Sequence, residues 1–199
     1  HLGIPGRHNV MNALAAATVA MRYGMAPETV ARILASQHTI SPHRMALSTV
    51  NREGTSFTLI DDSFNANPDS MKAGLNGLKA WNSNDGKEPF RVALLGAMLE
   101  LGADETALHT SIGTYADELG IDAIIAVGSA QDQHLDALAQ ALADGARQSQ
   151  FASVDCVHDI DAAEQLVIDL ARNHPDAVVL LKGSHASGLS ALAERWAKN

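Results

Sequence analysis

From Val92 onward the chain repeats one pattern: a short run of aliphatic and β-branched residues, a glycine or polar turn, then an amphipathic helix. Residues 92–95, 123–127, 153–157 and 177–181 read as strands. The segments 105–119, 132–143, 161–172 and 188–196 read as the helices that follow them. A strand that is apolar almost throughout is buried on both faces. Strands separated by a helix's length of chain pair in parallel, because that length is what a crossover needs. The pattern therefore dictates an α/β fold, a mostly parallel sheet with helices on both faces. Consecutive strands of such a sheet open on one edge, so the turns after them, Gly96, Gly128-Ser129 and Lys182-Gly183-Ser184, share a cleft.

Upstream of that repeat, residues 45–50 and 56–60 read as strands paired in a hairpin around Asn51-Arg52-Glu53-Gly54, and a helix spans 68–81. Residues 9–23 are Ala-rich, with Val10, Leu14, Ala17 and Met21 on one stripe, and form a helix that Gly24 stops. Pro27 and Glu28 start a second helix through about Ala35. The polar stretch from Gln37 to Pro42 reads as a linker, which divides the chain into 1–40 and 42–199. His1 at the start, and Gly3-Ile4-Pro5-Gly6 with the look of a connector, lead us to expect a piece of a longer protein.

With 14 basic and 23 acidic residues the net charge is −9, which argues against a nucleic-acid or anionic-membrane surface. No stretch is long and apolar enough to span a bilayer. A phosphorylated small molecule is compatible with this charge, because backbone amides and a few placed cations suffice to bind one. The single cysteine, Cys156, falls in a strand and forms no disulfide framework; a small buried hydrophobe is its expected role.

One run stands out for polarity at a strand end: Asp61-Asp62-Ser63-Phe64-Asn65-Ala66-Asn67-Pro68-Asp69-Ser70-Met71. Two carboxylates and two carboxamides at the carboxyl edge of a sheet suit ligand binding. The same Asx residues ahead of a proline also suit a strand end followed by a capped helix, and the residues alone leave both readings open. Lys182-Gly183-Ser184-His185 offers a cation, a flexible glycine and two hydrogen-bonding side chains, enough for a phosphate or carboxylate. It is no Walker loop, because Gly-x-x-x-x-Gly-Lys-Ser/Thr is absent. His8, Asn9 and Asn12 lie within one helical turn and could read a purine edge or a ribose; Asn9 could equally be a helix cap. Arg44 is a solvated flank or a phosphate ligand. His109 sits in the helix after the Gly96 turn and receives no role. The histidines show no metal-ligand spacing, and no Gly-x-Ser-x-Gly is present.

The 61–71 run closely resembles a signature of the Mur ligases, the ATP-dependent enzymes of peptidoglycan precursor synthesis. Gly6-Arg7-His8-Asn9-x-x-Asn12-Ala13, Leu95-Gly96-x-Met98-x-Glu100-Leu101-Gly102 and Lys182-Gly183-Ser184 agree with the family in order and spacing. Within it the run is most similar to members that add D-alanyl-D-alanine to a UDP-N-acetylmuramoyl-tripeptide by way of an acyl phosphate. The resemblance implies that 1–40 are the C-terminal helices of a central ATP-binding domain and 42–199 the C-terminal Rossmann-like domain. It implies ATP and Mg2+, with metal ligands mainly outside this chain, and a bacterial cytoplasmic setting without nucleic-acid or membrane partners. His8, Asn9 and Asn12 would then face adenine, Arg44 the phosphates and Asp62 the ribose. Asn65, Asn67, Lys182, Ser184 and His185 would line the cleft toward nucleotide or dipeptide. No catalytic or metal residue is expected within the chain, which alone would be inactive, and a hinge would lie at 37–43. Three positions depart from the family: Ala97 for Asp, His185 for Arg and Phe64 for Tyr. The alternatives are a Mur-type or folylpolyglutamate-type ligase adding another amino acid, and a non-catalytic nucleotide-binding module.

Overall fold

The computed structural model describes Leu2 and residues 7–37, 43–82, 88–148 and 152–198. The chain divides into two compact units, His1–Arg44 and Met45–Asn199. In the first, helix α1 (Arg7–Arg22) is followed by α2 (Pro27–Ser36), which has proline in its first turn. Gly24, at φ +89°, makes the turn between them. Much of the α1 stripe is open to solvent: Val10, Leu14 and Met21 are exposed, and Tyr23 after it is 88% exposed. The linker expected over 37–42 falls, apart from Gln37, outside the described residues.

The second unit opens with a hairpin, β1 (Ala46–Arg52) and β2 (Thr55–Asp62), paired antiparallel with Arg52 opposite Thr55. Its two-residue turn, Glu53-Gly54, has positive φ at both positions (46° and 77°), the conformation whose twist suits a tight hairpin. Then follow α3 (Pro68–Ala80), β3 (Arg91–Gly96), α4 (Glu105–Glu118), β4 (Ala123–Val127), α5 (Gln133–Ala146), β5 (Ser153–Val157), α6 (Ile160–Asn173), β6 (Val178–Lys182) and α7 (Leu189–Ala197). Short 3-10 turns at Gly102–Asp104 and His185–Ser187 precede α4 and α7. The sheet order is β1-β2-β6-β3-β4-β5, parallel throughout except for β1. The fold expected from the strand–helix alternation is present.

Alternation along each strand sends side chains to two cores. Ala93, Leu95, Ile124, Ala126 and Leu180 pack under α3, α4 and α5. Val92, Leu94, Ile125, Val179 and Leu181 pack under α6 and α7 on the other face. Polar clamps close the edges of this sandwich. Glu164 on α6 accepts from Arg52, Arg195 and Trp196, tying β1 and α7 to one carboxylate. Arg91 donates to the Leu78 and Trp81 carbonyls and so caps the C-terminus of α3.

Helices α4 and α5 pass backbone to backbone: a Cβ on Gly113 would overlap the Leu142 carbonyl, and one on Gly145 the Thr110 carbonyl. Neither carbonyl can rotate aside within a helix. Gly113→Ala and Gly145→Ala should each lower the unfolding free energy by about 3 kcal/mol in urea titrations, because overpacking here meets backbone rather than a flexible side chain. A loss below about 0.5 kcal/mol would mean that the helices separate freely.

Candidate functional site

The parallel register sets Asp62 beside Lys182 and Lys182 beside Leu95, so β2, β6 and β3 end together at the carboxyl edge. Successive residues of a strand face opposite ways, and the two aspartates divide accordingly. Asp61 is buried, and its carboxylate accepts from the Ser63 backbone N–H (3.2 Å) and hydroxyl (2.6 Å), a local turn that ends the strand. The Asp62 carboxylate meets the Lys182 ammonium at 2.8 Å. The lysine side chain is 2% exposed and the aspartate 17%, so the pair is closed on the protein side and open on the Asp62 side.

The Lys182 ammonium also donates to the Asn65 carbonyl at 2.8 Å and the Asp62 carbonyl at 3.4 Å. Three N–H groups thus meet three protein acceptors, leaving none for a ligand. The lysine stem crosses α3 at Gly74, where a Cβ would lie 2.9 Å from Cδ. Glycine at that point is the condition for the stem's path. Asn67, proposed from sequence for the cleft, has its side chain occupied: its Oδ1 accepts from Ser70 N–H (2.8 Å), and Ser70 Oγ accepts from Asn67 N–H (3.0 Å). This is the reciprocal cap of α3, with Pro68 in the first turn. Asn65 is exposed and its Oδ1 accepts from Ala66 N–H, while Phe64 beside it is also exposed.

The exits of β3 and β6 touch through glycine. A Cβ on Gly96 would overlap the Ser187 side chain, and one on Gly183 would lie 2.6 Å from Ser187 Oγ and 3.0 Å from Gly96 Cα. The glycines of two motifs are therefore required by close approach of the two turns. Ser184 N–H donates to the Ala97 carbonyl (2.9 Å), Ser187 Oγ to the Ser184 carbonyl (2.6 Å), and Ser190 Oγ to the Ser63 carbonyl (2.7 Å). Ser184 is buried with its hydroxyl lacking a hydrogen-bond partner among the described residues, and His185 next to it is exposed.

Sequence reading missed His109 and Gly74. His109 is fully buried; its Nε2 accepts from Met98 N–H at 2.8 Å and its Nδ1 lies 2.7 Å from the Glu105 carbonyl. Burial pushes its imidazole below the ordinary value, and the Glu105 carbonyl and carboxylate act against that. The only sequence signal was a histidine one turn into the helix after a glycine loop.

In the first unit, Asn12 Nδ2 donates to Asn9 Oδ1 (3.4 Å) across one turn of α1; Asn9 is buried and Asn12 exposed. The His8 side chain lies outside the described residues. Arg44 is exposed at the end of that unit. Asp62, Asn65, Lys182, Ser184 and His185 share the carboxyl edge of the second. Among the described residues no group of three or more His, Cys, Asp or Glu could hold a metal ion, and Asp61 and Asp62 are already engaged. Asp62 can accept hydroxyl donors from a ligand, in keeping with a sugar diol. A hollow of about 310 Å³ lies on the opposite, amino edge, between Phe90, Arg91, Asp122 and His174. Three of its polar groups are already committed, Arg91 to the α3 cap, Asp122 to Arg91 N–H and the His174 ring to a 3.6 Å stack on Phe90. We therefore place the candidate site at the carboxyl edge.

Comparison with known proteins gives a consistent result. The family model described as "Mur ligase, glutamate ligase domain" matches residues 43–185. The UDP-N-acetylmuramoyl-tripeptide–D-alanyl-D-alanine ligase of Mycobacterium tuberculosis is 39% identical over 97% of this chain, which covers 38% of that protein. The crystal structure of MurF from Acinetobacter baumannii superposes with a TM-score of 0.75 at 25% identity, over 98% of this chain and 38% of that one. A MurF ligase from Thermotoga maritima in complex with ADP shares the fold, with a TM-score of 0.67 at 21% identity, over 98% of this chain and 39% of that one. The chain thus spans well under half the length of the relatives it matches.

If the Lys182 ammonium anchors this edge, Lys182→Met should cost about 3 kcal/mol of stability, because Asp62 loses its counter-charge and two carbonyls lose a donor. Adding Asp62→Leu should restore a large part of it. The cycle is read by urea unfolding, and a single-variant cost under about 1 kcal/mol would contradict the anchor role.

Proposed function

The chain belongs to the Mur ligase family, and from that premise we propose that it forms part of an ATP-dependent ligase joining D-alanyl-D-alanine to UDP-N-acetylmuramoyl-tripeptide. The observation that carries this reading is 39% identity, sustained over 97% of the chain, with ligases of that name. The reaction would supply peptidoglycan precursor in the bacterial cytoplasm, and through it cell shape and division. Residues 1–40 are assigned to the end of the central ATP-binding domain and 42–199 to the C-terminal domain, with the hinge at 37–43.

In this chemistry ATP phosphorylates the tripeptide carboxylate, the dipeptide amine attacks the acyl carbon, and phosphate leaves. Holding the reactants together and neutralising charge account for most of the rate. This chain's residues contribute binding. Asp62, oriented by Lys182, accepts from the ribose hydroxyls; Asn9, Asn12 and His8 face adenine; Arg44 reaches the phosphates. Asn65, Ser184 and His185 are directed to the incoming dipeptide, whose carboxylate suits exposed amide and imidazole donors. Magnesium and the phosphate loop are assigned to the rest of the protein.

Two outcomes follow. Asp62→Asn in the whole protein keeps an acceptor for Lys182 but removes the anionic one. It should raise KM for ATP roughly tenfold, the worth of one hydrogen bond to a charged group, and leave KM for D-alanyl-D-alanine unchanged. Unchanged KM for ATP would remove Asp62 from the ribose. Residues 1–199 alone should form no product from ATP, UDP-N-acetylmuramoyl-tripeptide and D-alanyl-D-alanine; turnover would overturn the domain assignment.

A further inference from the structure

Among the described residues, His109 is a fully buried ionisable side chain at the carboxyl edge that the proposed reaction leaves without a task. Its surroundings define its protonation. Met98 N–H can only donate, so Nε2 must carry a lone pair; the Glu105 carbonyl can only accept, so Nδ1 must carry the proton. The ring is therefore a neutral imidazole with both nitrogens used. A second proton on Nε2 would face Met98 N–H donor to donor.

The side chains of the loop this ring holds are packed, Ala97 and Met98 buried and Leu99 and Leu101 against the core, and the ring fixes its backbone at Met98 N–H. Between Gly96 and the 3-10 turn at Gly102, Glu100 sits at φ +61°, a conformation that costs a side-chain-bearing residue about 1 kcal/mol or more. The loop passes its position on. Ala97, adjacent to Met98, accepts Ser184 N–H through its carbonyl, and the Ser184 carbonyl accepts Ser187 Oγ and N–H. A continuous string of hydrogen bonds thus runs from α4 through the β3 exit to the turn that carries Ser184 and His185.

We propose that neutral His109 is a positioning residue: by holding Met98 N–H it sets the β3 exit loop, and through Ala97 the Ser184–His185 turn, in place for the incoming amine substrate. This rests on the reading of the carboxyl edge as the ligase cleft. The ionisable groups acting on the ring are Glu105, one turn earlier on α4, and His134 on α5, themselves paired at 3.3 Å. Because the folded protein disfavours the charged ring, the latch is fully formed above the ordinary imidazole value. In the folded protein it persists below that value and is lost only as pH falls through the depressed one.

The experiment compares the whole protein in three forms: wild type, His109→Gln and His109→Leu. Gln offers Met98 N–H an acceptor that does not titrate, whereas Leu offers none. The dipeptide amine titrates in every form, so the readout is the ratio of wild-type to His109→Gln KM for D-alanyl-D-alanine, which should stay near one from about pH 8 to about pH 6.5 and rise several-fold below that as the depressed ring takes up its proton. His109→Leu should raise that KM roughly tenfold at pH 8 while KM for ATP stays within about twofold, as loss of one buried hydrogen-bond acceptor implies. Met98 amide hydrogen exchange should be slow in the wild type and His109→Gln and fast in His109→Leu. A wild-type to His109→Gln KM ratio that stays level as pH falls, or Met98 exchange unaltered in His109→Leu, overturns the proposal. If the wild type made no product, the ligase reading would fail, and Met98 exchange would still decide the latch.

Discussion

A buried ammonium decides the shape of the carboxyl edge. Lys182 ends the strand next to β2 in the sheet, and its charge cannot reach water. A buried charge persists only when paired and fully hydrogen-bonded, which ties the Asp62 carboxylate and the Asn65 carbonyl to fixed positions. The chain after β2 must therefore curl over the lysine before α3 begins. In turn, α3 must present Gly74 where the lysine stem crosses. The hairpin itself is made by the Glu53-Gly54 turn, and Lys182 holds the end of its second strand, which lies between β1 and β6.

Around that anchor, short backbone links turn separate strand exits into one surface. Gly96 and Gly183 let two turns touch through Ser187, Ser190 fastens the start of the 63–67 turn to α7, and His109 fastens the β3 exit to α4. Several motif residues are thereby used within the protein: Asp61 by Ser63, Asn67 by Ser70 and Lys182 by three acceptors. This leaves Asp62, Asn65, Ser184 and His185 as the groups we propose for ligand binding at this edge. Rigid supports behind a few ligand-facing groups are what a site working by orientation requires.

The legible parts of the sequence were those whose signal is local. Strands at 92–95, 123–127 and 177–181 were readable because burial on both faces demands unbroken apolar runs, and the helices between them because of their apolar stripes. The hairpin was readable from Glu53-Gly54, although its turn is tighter than the four residues expected. The helix ends were less so: α5 extends to Ala146, where Gly145 is compatible with the helix because it packs against α4. For the site, sequence marked the right edge but could not distribute tasks along it. Whether Asn67 caps a helix or faces a ligand depends on where Ser70 lies, and whether Lys182 is a ligand or an anchor depends on burial by α3. His109 was silent because its partners, Met98 and the Glu105 carbonyl, are backbone groups that any residue supplies.

The central claim is that Lys182 acts through Asp62 and leaves the nucleotide to the carboxylate. A crystal structure of the whole protein with a bound ATP analogue tests it most directly. The account predicts a ribose hydroxyl within about 3 Å of the Asp62 carboxylate, with the Lys182 ammonium still on Asp62 and Asn65 and making no contact with the ligand. A Lys182 ammonium bonded to the nucleotide, or a ribose bound away from Asp62, would contradict it.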